Sequence, residues 1–277
     1  MRKILNFLIR FFIRARLNLV SLNILCALTE LESQKKLLID ITNENKFLII
    51  ILDACRPDSF RRWISENRPF LLVDLKIANS EGTKTQTWFM KTFSENHLDL
   101  TYISGNPHIN SAGITPVGKI AVKVFTNIVD AWKKWDNKEE TCMPLTVNEF
   151  SENYLHEPRL IVHYMQPHQP YVGKKRIPRY LYDKNLWFSM EESEDRPSIL
   201  QINHRKLNKK DGLIIRDAYE SNVDLVCSHA FNLIDKFKGT IIVTADHSEM
   251  MGENGVWFHD SGHPKLYIVP WLKIVNK

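Results

Sequence analysis

Length, composition and charge place this chain among folded globular proteins. It has 277 residues, of which 44% are hydrophobic and 25% are charged. These values exclude an intrinsically disordered chain, and the length is sufficient for a large buried core. The net charge of +5 favours anionic partners. Because no nucleic-acid-binding motif accompanies that charge, we expect an anionic substrate and no nucleic acid.

The four cysteines are widely separated and form no Cys-x-x-Cys pair. This distribution predicts neither a zinc ribbon nor a dense disulfide framework. A reducing compartment is the simplest interpretation. We therefore expect a cytoplasmic protein, with association at a membrane left open.

Residues 1–45 are predicted to be an amino-terminal amphipathic helical segment that precedes a single domain over residues 46–277. Within residues 1–28, apolar side chains alternate with Arg10, Arg14 and Arg16. These arginines interrupt the apolar run that a signal peptide or a membrane span requires. Two alternatives remain: a helix packed on the domain, which is the commoner arrangement, and a helix in peripheral contact with a membrane surface.

Strands and helices are predicted to alternate beyond residue 46. Apolar and β-branched runs predict strands at 47–52, 70–75, 100–104, 159–164 and 240–245, and an edge strand at 266–269. Helical spacing predicts helices at 57–66, 84–93 and 217–237. Residues 174–212 are polar and poorly periodic, so we expect them to lie outside the sheet. The alternation indicates a layered α/β fold.

Two of the buried-strand runs end in metal-ligand residues. Asp53 follows the first run, and Asp246 and His247 follow the run at 240–245. Ligands bind outside the carboxyl ends of strands in open α/β sheets, so these side chains are expected to meet and to hold a divalent ion. The structural alternatives are a helix cap for Asp53 and a turn with an exposed histidine for the pair.

Further candidate residues lie in three other segments of the chain. His259 and His263 occupy a loop with glycine and proline, where either histidine completes a metal shell or lies on the surface. Thr83 and Thr85 precede a predicted helix, where a hydroxyl either caps the helix or contacts an anion. A strand and the proline-rich turn after it carry two more histidines, which are candidates for anion binding or proton transfer: His163 and His168.

These pieces together resemble the alkaline phosphatase and sulfatase superfamily, and more closely its archaeal sulfatase-like branch. The matching segments run in the family's order: 52–58 (LDACRPD), 82–85 (GTKT), 163–171 (HYMQPHQPY), 244–249 (TADHSE) and 263–264 (HP). The resemblance covers residues 46–272. It implies a doubly wound mixed sheet flanked by helices, and a side chain that attacks phosphorus or sulfur next to one or two divalent ions.

By position, the resemblance implies particular roles for these residues. Asp53, Asp246 and His247 are the implied metal ligands. The implied nucleophile is Thr83, with Thr85 as the close alternative. Arg56 and His168 would contact the transferred anion, and His163 is a further substrate-binding candidate.

Departures from the family's patterns narrow the expected chemistry. The Cys/Ser-x-Pro-x-Arg motif of classical sulfatases is replaced by the sequence TKTQT at 83–87, which favours phosphate over sulfate esters. Ala54 follows Asp53 where sulfatases tend to have a second aspartate, and no additional Asp-x-x-x-His pair is found. One metal ion is therefore expected rather than two. Manganese, zinc and magnesium all suit the mixed donor set.

Two other functions compete with a metal-dependent hydrolase or transferase. Cys55 and Arg61 have the spacing of a cysteine phosphatase loop, but Pro57 removes a backbone amide that such a loop needs. A catalytically inactive superfamily member that binds an anionic ligand or a partner is the stronger alternative, because a fold does not guarantee activity.

Overall fold

A computed structural model describes residues 31–93, 97–178, 181, 207–259 and 261–276. The amphipathic segment predicted at 1–28 lies outside the described residues, as does most of the polar stretch predicted at 174–212. Within the described ranges, none of the helices is both long and apolar enough to cross a bilayer.

The described elements alternate as the sequence pattern predicts. The helices are α1 (Gln34–Thr42), α2 (Pro57–Asn67), α3 (Thr85–Phe93), α4 (Pro116–Val124), α5 (Pro144–Glu152) and α6 (Lys209–Ile234). The strands of the main sheet are β1 (Phe47–Asp53), β2 (Leu75–Asn79), β3 (Leu98–Ser104), β4 (Phe125–Asp130), β5 (Arg159–Pro167), β6 (Gly239–Thr244) and β9 (Ile268–Asn276). Two short strands, β7 (Met250–Met251) and β8 (Trp257–Phe258), form a separate two-stranded sheet.

The main sheet has seven strands in the order β2-β9-β6-β1-β5-β3-β4. Strands β6, β1, β5, β3 and β4 pair in parallel, and β9 pairs antiparallel to both β6 and β2. All seven residues of β1 are buried, as expected for a central strand covered on both faces. The expected α/β fold with a mixed sheet is confirmed. The parallel pairing brings the carboxyl ends of β1, β3, β5 and β6 to one edge.

Helices flank the sheet in two groups. Helices α2 and α5 both pack against α6, while α3 contacts both α1 and α4. Gln34 of α1 is buried, accepts a hydrogen bond from the Trp88 indole and donates to the hydroxyl of Thr244 at the end of β6. This side chain ties two helices of the second group to the strand that delivers Asp246.

Two strand predictions are wrong in position. Residues 70–75 were expected to form a strand, but Pro69–Val73 is a 3-10 helix and β2 begins only at Leu75. Proline at the first helical position fixes φ and lacks an N-H, which favours this short helix. Residues 266–269 were expected at a sheet edge, whereas Pro264–Tyr267 is a 3-10 helix and β9 lies inside the sheet.

The interior position of β9 is compatible with Pro270. The β6 ladder ends where Thr244 pairs with Trp271, one residue after the proline in the β9 sequence. The Thr244 hydroxyl donates to the Pro270 carbonyl over 2.7 Å. The proline therefore lies just beyond the β6 ladder, where the missing N-H costs no hydrogen bond to that strand.

Candidate functional site

Polar side chains converge at the carboxyl-end edge of the parallel strands. Asp53 ends β1, and Asp246 and His247 follow β6, which is the neighbour of β1. All three side chains are buried, and one ligand atom from each lies within 4.8 Å of the others. The His247 Nε2 atom is 3.5 Å from Asp53 Oδ1 and 3.5 Å from Asp246 Oδ2. The three predicted metal ligands therefore form one cluster.

The electrostatics of this cluster fit a bound cation. Burial raises the pKa of Asp53 well above its ordinary value, and the nearby charge of Asp246 raises it further. The Asp53 Oδ1 atom is buried and has no hydrogen-bond partner among the described residues. Two adjacent buried carboxylates repel each other unless a proton or a cation lies between them. The cluster supplies the oxygen and nitrogen donors that such a cation would need.

Asp246 is oriented by the backbone at its own turn and at the turn after β1. Its Oδ1 atom accepts hydrogen bonds from the N-H groups of His247, at 2.8 Å, and Ala54, at 3.0 Å. Its Oδ2 atom is left to face Thr85 and His247. Burial raises the pKa of Asp246, but the electrostatic interactions with His247 and His163 and the Thr85 hydrogen bond outweigh burial and lower the pKa overall.

The two threonines occupy different positions relative to the carboxylates. Thr85 is buried at the start of α3, and its Oγ1 lies 2.7 Å from Asp246 Oδ2 and 3.3 Å from Asp53 Oδ2. Thr83 is half-buried, and in the described part of the chain it makes no hydrogen bond to either carboxylate. A helix start favours negative charge on an oxygen. Thr85 is therefore the hydroxyl that meets the metal-ligand cluster.

Asn106 is a site residue that the sequence analysis did not identify. It follows β3, and its Nδ2 donates to Asp53 Oδ2 at 2.8 Å and lies 3.4 Å from Thr85 Oγ1. Its Oδ1 accepts the N-H of His108 at 2.9 Å, which fixes the orientation of the amide. A polar residue two positions after the strand predicted at 100–104 was the available signal. The same rule that identified Asp53 would have identified Asn106.

His163 lies below the cluster within β5. Its Nδ1 is 2.8 Å from the Tyr102 hydroxyl, and its Nε2 is 3.9 Å from Asp53 Oδ2. Burial lowers the pKa of His163 to about 4, so the ring is neutral at pH 7. The position places His163 beside a metal ligand rather than at the open edge of the site. Its Nε2 makes no hydrogen bond within the described residues.

Three other histidines lie near one another at the edge. The ring centroid of His259 is 4.6 Å from that of His247 and 5.1 Å from that of His168. The Nδ1 atoms of His247 and His168 face the carbonyls of Ser248 and Gln169. A carbonyl only accepts hydrogen bonds, so both Nδ1 atoms carry the proton and both Nε2 atoms are acceptors in the neutral rings. Burial lowers the pKa of His168 to about 4.

Glu249 accounts for the orientation of His259. Its buried carboxylate lies 3.0 Å from His259 Nδ1. Because a carboxylate accepts the Nδ1 proton, the Nε2 atom of His259 also faces away as an acceptor. The sequence analysis included Glu249 in a motif without assigning it a role, since its partner lies ten residues further along the chain.

Arg56 is engaged by two carboxylates and a carbonyl of the protein itself. The Arg56 guanidinium pairs with Asp58 at 2.6 Å and Glu253 at 2.8 Å and donates to the Glu249 carbonyl at 2.8 Å. These contacts connect the turn after β1 to the loop that carries His259.

His263 is buried, and its Nδ1 accepts the Lys265 N-H at the start of the 3-10 helix Pro264–Tyr267. His263 is not part of the three-residue cluster.

Solved structures show the same fold. At 14% identity and a TM-score of 0.56, the chain matches an integral membrane lipooligosaccharide phosphoethanolamine transferase A of Neisseria meningitidis, covering 84% of this chain and 48% of that one. With the same identity and score it matches the periplasmic domain of Escherichia coli EptC in complex with Zn, covering 85% and 74%. A Bacteroides thetaiotaomicron protein assigned as a sulfatase matches at 12% identity and a TM-score of 0.56, covering 84% and 65%.

The comparisons confirm the alkaline-phosphatase-like fold and correct two expectations. No family model matches the chain, and no curated protein matches it. The similar structures include phosphoethanolamine transferases and a sulfatase-type protein, but they give no support to the archaeal branch. The expected cytoplasmic location is wrong, because the transferase structures are described as periplasmic domains and an integral membrane protein. Cysteine spacing was too weak a basis for choosing a compartment.

Proposed function

We propose that this chain is a metal-dependent phosphotransferase or phosphate-ester hydrolase of the alkaline phosphatase and sulfatase superfamily, with Thr85 as its nucleophile. One observation carries the proposal: the Thr85 hydroxyl lies within hydrogen-bonding distance of both carboxylates of the metal-ligand cluster. A threonine hydroxyl is a weak nucleophile without activation. Its position beside two carboxylates and at a helix start supports this role over simple helix capping.

Asp53, Asp246 and His247 are the proposed ligands of one divalent ion. Two carboxylates and an imidazole Nε2 suit zinc, manganese or magnesium, and the similar E. coli domain is described in complex with Zn. Such an ion would stabilise an alkoxide and offset the charge of a phosphoryl group. His259 and His263 are not needed as ligands in this assignment, since His259 is held by Glu249 and His263 by its own turn.

In the proposed first half-reaction, Thr85 Oγ1 forms a bond to phosphorus and the bond from phosphorus to the leaving oxygen breaks. The threonine hydroxyl loses one proton and the leaving oxygen gains one, so the products are a threonyl phosphate and an alcohol. Asn106 supports this step because its amide N-H lies 3.4 Å from Thr85 Oγ1 and holds Asp53. An N-H at this position would stabilise an oxygen that gains negative charge.

In the second half-reaction, an oxygen of water or of an acceptor alcohol forms a bond to phosphorus and loses its proton, while the bond from phosphorus to Thr85 Oγ1 breaks and Thr85 regains a proton. His168 and His259 are the proposed acceptors of the proton that the attacking oxygen loses. The Nδ1 proton of His168 is held by Gln169 O, so its Nε2 carries the lone pair of the neutral ring, and Glu249 holds the Nδ1 of His259 beside His247. A neutral imidazole in reach of the attacking hydroxyl is suited to general-base catalysis.

Transfer of a phosphorylated head group is the favoured form of this reaction. The support is the likeness of the fold to phosphoethanolamine transferases, together with a threonine where classical sulfatases have cysteine or serine. The chain spans 48% of the N. meningitidis membrane protein, so the activity of that whole protein is a proposal for this chain. A location outside the cytoplasm belongs to the same proposal.

The test is turnover of three esters after removal and return of the metal. Chelator-stripped protein would be assayed with nitrophenyl phosphate, bis-nitrophenyl phosphate and nitrophenyl sulfate after addition of zinc, manganese or magnesium. Turnover of a phosphate ester that returns with metal and is lost in Asp246→Ala supports the proposal. Metal binding without turnover of any ester would favour an inactive protein that binds an anion. Turnover that survives chelation would contradict the metal-dependent mechanism.

A further inference from the structure

Two buried side chains of helix α6 contact the loops that carry the site without belonging to it. Tyr219 and Asn222 are three residues apart, so they lie on the same face of the helix. Both are fully buried. Their polar atoms bond to the backbone of the turn after β1 and of the loop after β5. This face of α6 therefore contacts both segments that hold functional side chains.

Tyr219 bonds to both ends of the turn that follows Asp53. Its hydroxyl donates to the Ala54 carbonyl at 2.8 Å and accepts the Arg56 N-H at 2.9 Å. Ala54, which accepts the first of these hydrogen bonds, has a φ of +59°, in the left-handed region that residues other than glycine rarely adopt. This conformation needs support from its surroundings, and the Tyr219 hydroxyl provides it.

The left-handed turn has a direct consequence for a metal ligand. The Ala54 N-H donates to Asp246 Oδ1 at 3.0 Å, while Asp246 Oδ2 faces Thr85 Oγ1 at 2.7 Å. If Ala54 relaxed to a negative φ, its N-H would turn away from Asp246. The carboxylate would then lose one of the two hydrogen bonds that fix its orientation. Tyr219 thus acts on Asp246 through Ala54.

Asn222 holds the loop that carries His168. Its Oδ1 accepts the N-H groups of Val172 at 2.8 Å and Gly173 at 3.0 Å. Its Nδ2 lies 3.2 Å from the His168 carbonyl and also donates to the carbonyls of Pro167 and Pro170. One amide therefore satisfies five backbone groups of a single loop. No other residue type of this size offers both donors and acceptors in that arrangement.

We propose that Tyr219 and Asn222 are positioning residues with separate tasks: Tyr219 fixes the metal ligand Asp246 through the Ala54 turn, and Asn222 fixes His168 through its loop. The inference rests on the proposed function for the meaning of these ligands. It predicts two distinguishable defects. Loss of the Tyr219 hydroxyl impairs metal binding, whereas loss of the Asn222 amide impairs the histidine and the turnover that depends on it.

The experiment compares three variants by zinc titration calorimetry of chelator-stripped protein and by nuclear magnetic resonance of isotope-labelled histidine rings. Tyr219→Phe is expected to weaken zinc binding about tenfold, the usual effect of losing an outer-shell partner. Asn222→Asp presents an oxygen to three carbonyls, so it should shift the His168 ring signals and change zinc affinity by less than about twofold. His168→Gln assigns those signals. Tyr164→Phe is the control, since this buried hydroxyl bonds only Asn148 in the described contacts.

A second variant tests the mechanism assigned to Tyr219. Glycine adopts positive φ without steric cost, so Ala54→Gly should restore part of the zinc affinity lost in Tyr219→Phe. Restored affinity in the double variant supports the proposal. Equal zinc affinity in Tyr219→Phe and wild type would overturn the Tyr219 assignment, as would further loss of affinity in the double variant. Unmoved His168 signals in Asn222→Asp would overturn the Asn222 assignment.

The zinc titration and the histidine ring signals give a result whether or not the proposed function is correct. If wild-type protein binds zinc but turns over no ester, the proposed function fails, while zinc affinity and ring signals still decide the positioning roles. If Asn222→Asp is unfolded by circular dichroism, Asn222→Ala replaces it with the same expected results, because it buries no charge. Tyr219→Phe keeps the buried ring, and its double variant with Ala54→Gly supplies the second zinc measurement. The two readouts need no substrate.

Discussion

The hydroxyl of Thr85 lies 2.7 Å from Oδ2 of Asp246, although the two residues are 161 positions apart in the chain. Thr85 arrives from the start of α3, and Asp246 arrives from the end of β6. Asp53, at the end of the neighbouring strand β1, lies 3.3 Å from the same hydroxyl. This convergence of one hydroxyl with two buried carboxylates is the geometric basis of the proposed nucleophile and metal site.

The two threonines should respond differently to mutation. We expect Thr85→Ala to lower kcat by at least about 100-fold while zinc binding persists, because the ligand set keeps both carboxylates and His247. Thr83→Ala should change kcat by less than about threefold, since Thr83 contacts neither carboxylate in the described structure. Steady-state assays with bis-nitrophenyl phosphate measure both effects. A larger loss in Thr83→Ala than in Thr85→Ala would reverse the assignment.

Metal affinity should rise with pH. Burial and the charge of Asp246 raise the pKa of Asp53 in the folded protein above its ordinary value of 3.8. Without metal, the stability that this group contributes is present below pH 3.8 and is lost as pH rises through its folded pKa. A cation must displace the Asp53 proton, so its affinity increases over that same window.

The measurement is the metal-induced rise in melting temperature as a function of pH. Wild-type protein should show a rise that grows with pH and then levels off. Asp53→Asn keeps the shape of the side chain but removes its charge and its titration, and should show a small rise with little pH dependence. A rise that shrinks with increasing pH would contradict the assignment of Asp53 as a metal ligand.

Arg56 should affect stability more than substrate binding. Its guanidinium is engaged by Asp58, Glu253 and the Glu249 carbonyl, which join two loops at the site. Arg56→Gln should cost about 1–3 kcal/mol of unfolding free energy, because a partly buried ion pair is broken and its partners remain. KM for the phosphate ester should change by less than about threefold. A large rise in KM at unchanged stability would instead make Arg56 an anion ligand.

Gly82 should be intolerant of any side chain. A Cβ at this position would lie 2.4 Å from the Trp88 backbone nitrogen and 2.7 Å from the Thr87 hydroxyl. Gly82→Ala must therefore push the loop off the start of α3, at a cost of about 1–3 kcal/mol. We expect lower kcat as well, since the loop precedes Thr85. Gly212→Ala is a matched control in a helix, where the added methyl meets the Trp257 ring at 3.1 Å.

Denaturant unfolding and steady-state kinetics of both glycine variants check this prediction. Gly212→Ala should keep its kcat, and its stability should change by less than about 1 kcal/mol, because alanine favours a helix and a ring edge can shift. Equal stability and kcat in Gly82→Ala and wild type would mean that the loop before α3 adapts without disturbing Thr85.

The fold and the metal-ligand cluster follow from patterns that the sequence displays directly. Asp53 and Asp246 each come after a buried β-branched run, and the rule for parallel sheets brings such residues to one edge. That rule required no knowledge of strand order. The structure adds that β1 and β6 are adjacent in the sheet. Because of this adjacency, Asp53 and Asp246 lie close enough to form one cluster with His247.

Other features depend on geometry that residue types do not encode. Thr83 and Thr85 differ in their position relative to the start of α3, which begins at Thr85, and the close approach of Gly82 to Trp88 is visible only in the structure. Tyr219 and Asn222 lie in a helix whose hydrophobic spacing predicts only a helix packed on the core. Their contacts with the loops therefore could not be predicted from the sequence. The strand expected at 70–75 failed because Pro69 starts a 3-10 helix there.

Trapping a covalent intermediate would show whether Thr85 is the nucleophile of a metal-dependent reaction. Metal-loaded protein would be mixed with bis-nitrophenyl phosphate, quenched in acid, digested and mapped by peptide mass spectrometry, with chelated protein and Thr85→Ala as controls. We predict a phosphoryl adduct on Thr85 that requires metal and is absent from both controls. An adduct on Thr83, on Cys55 or on a histidine, or metal-dependent turnover through no adduct on Thr85, would contradict it.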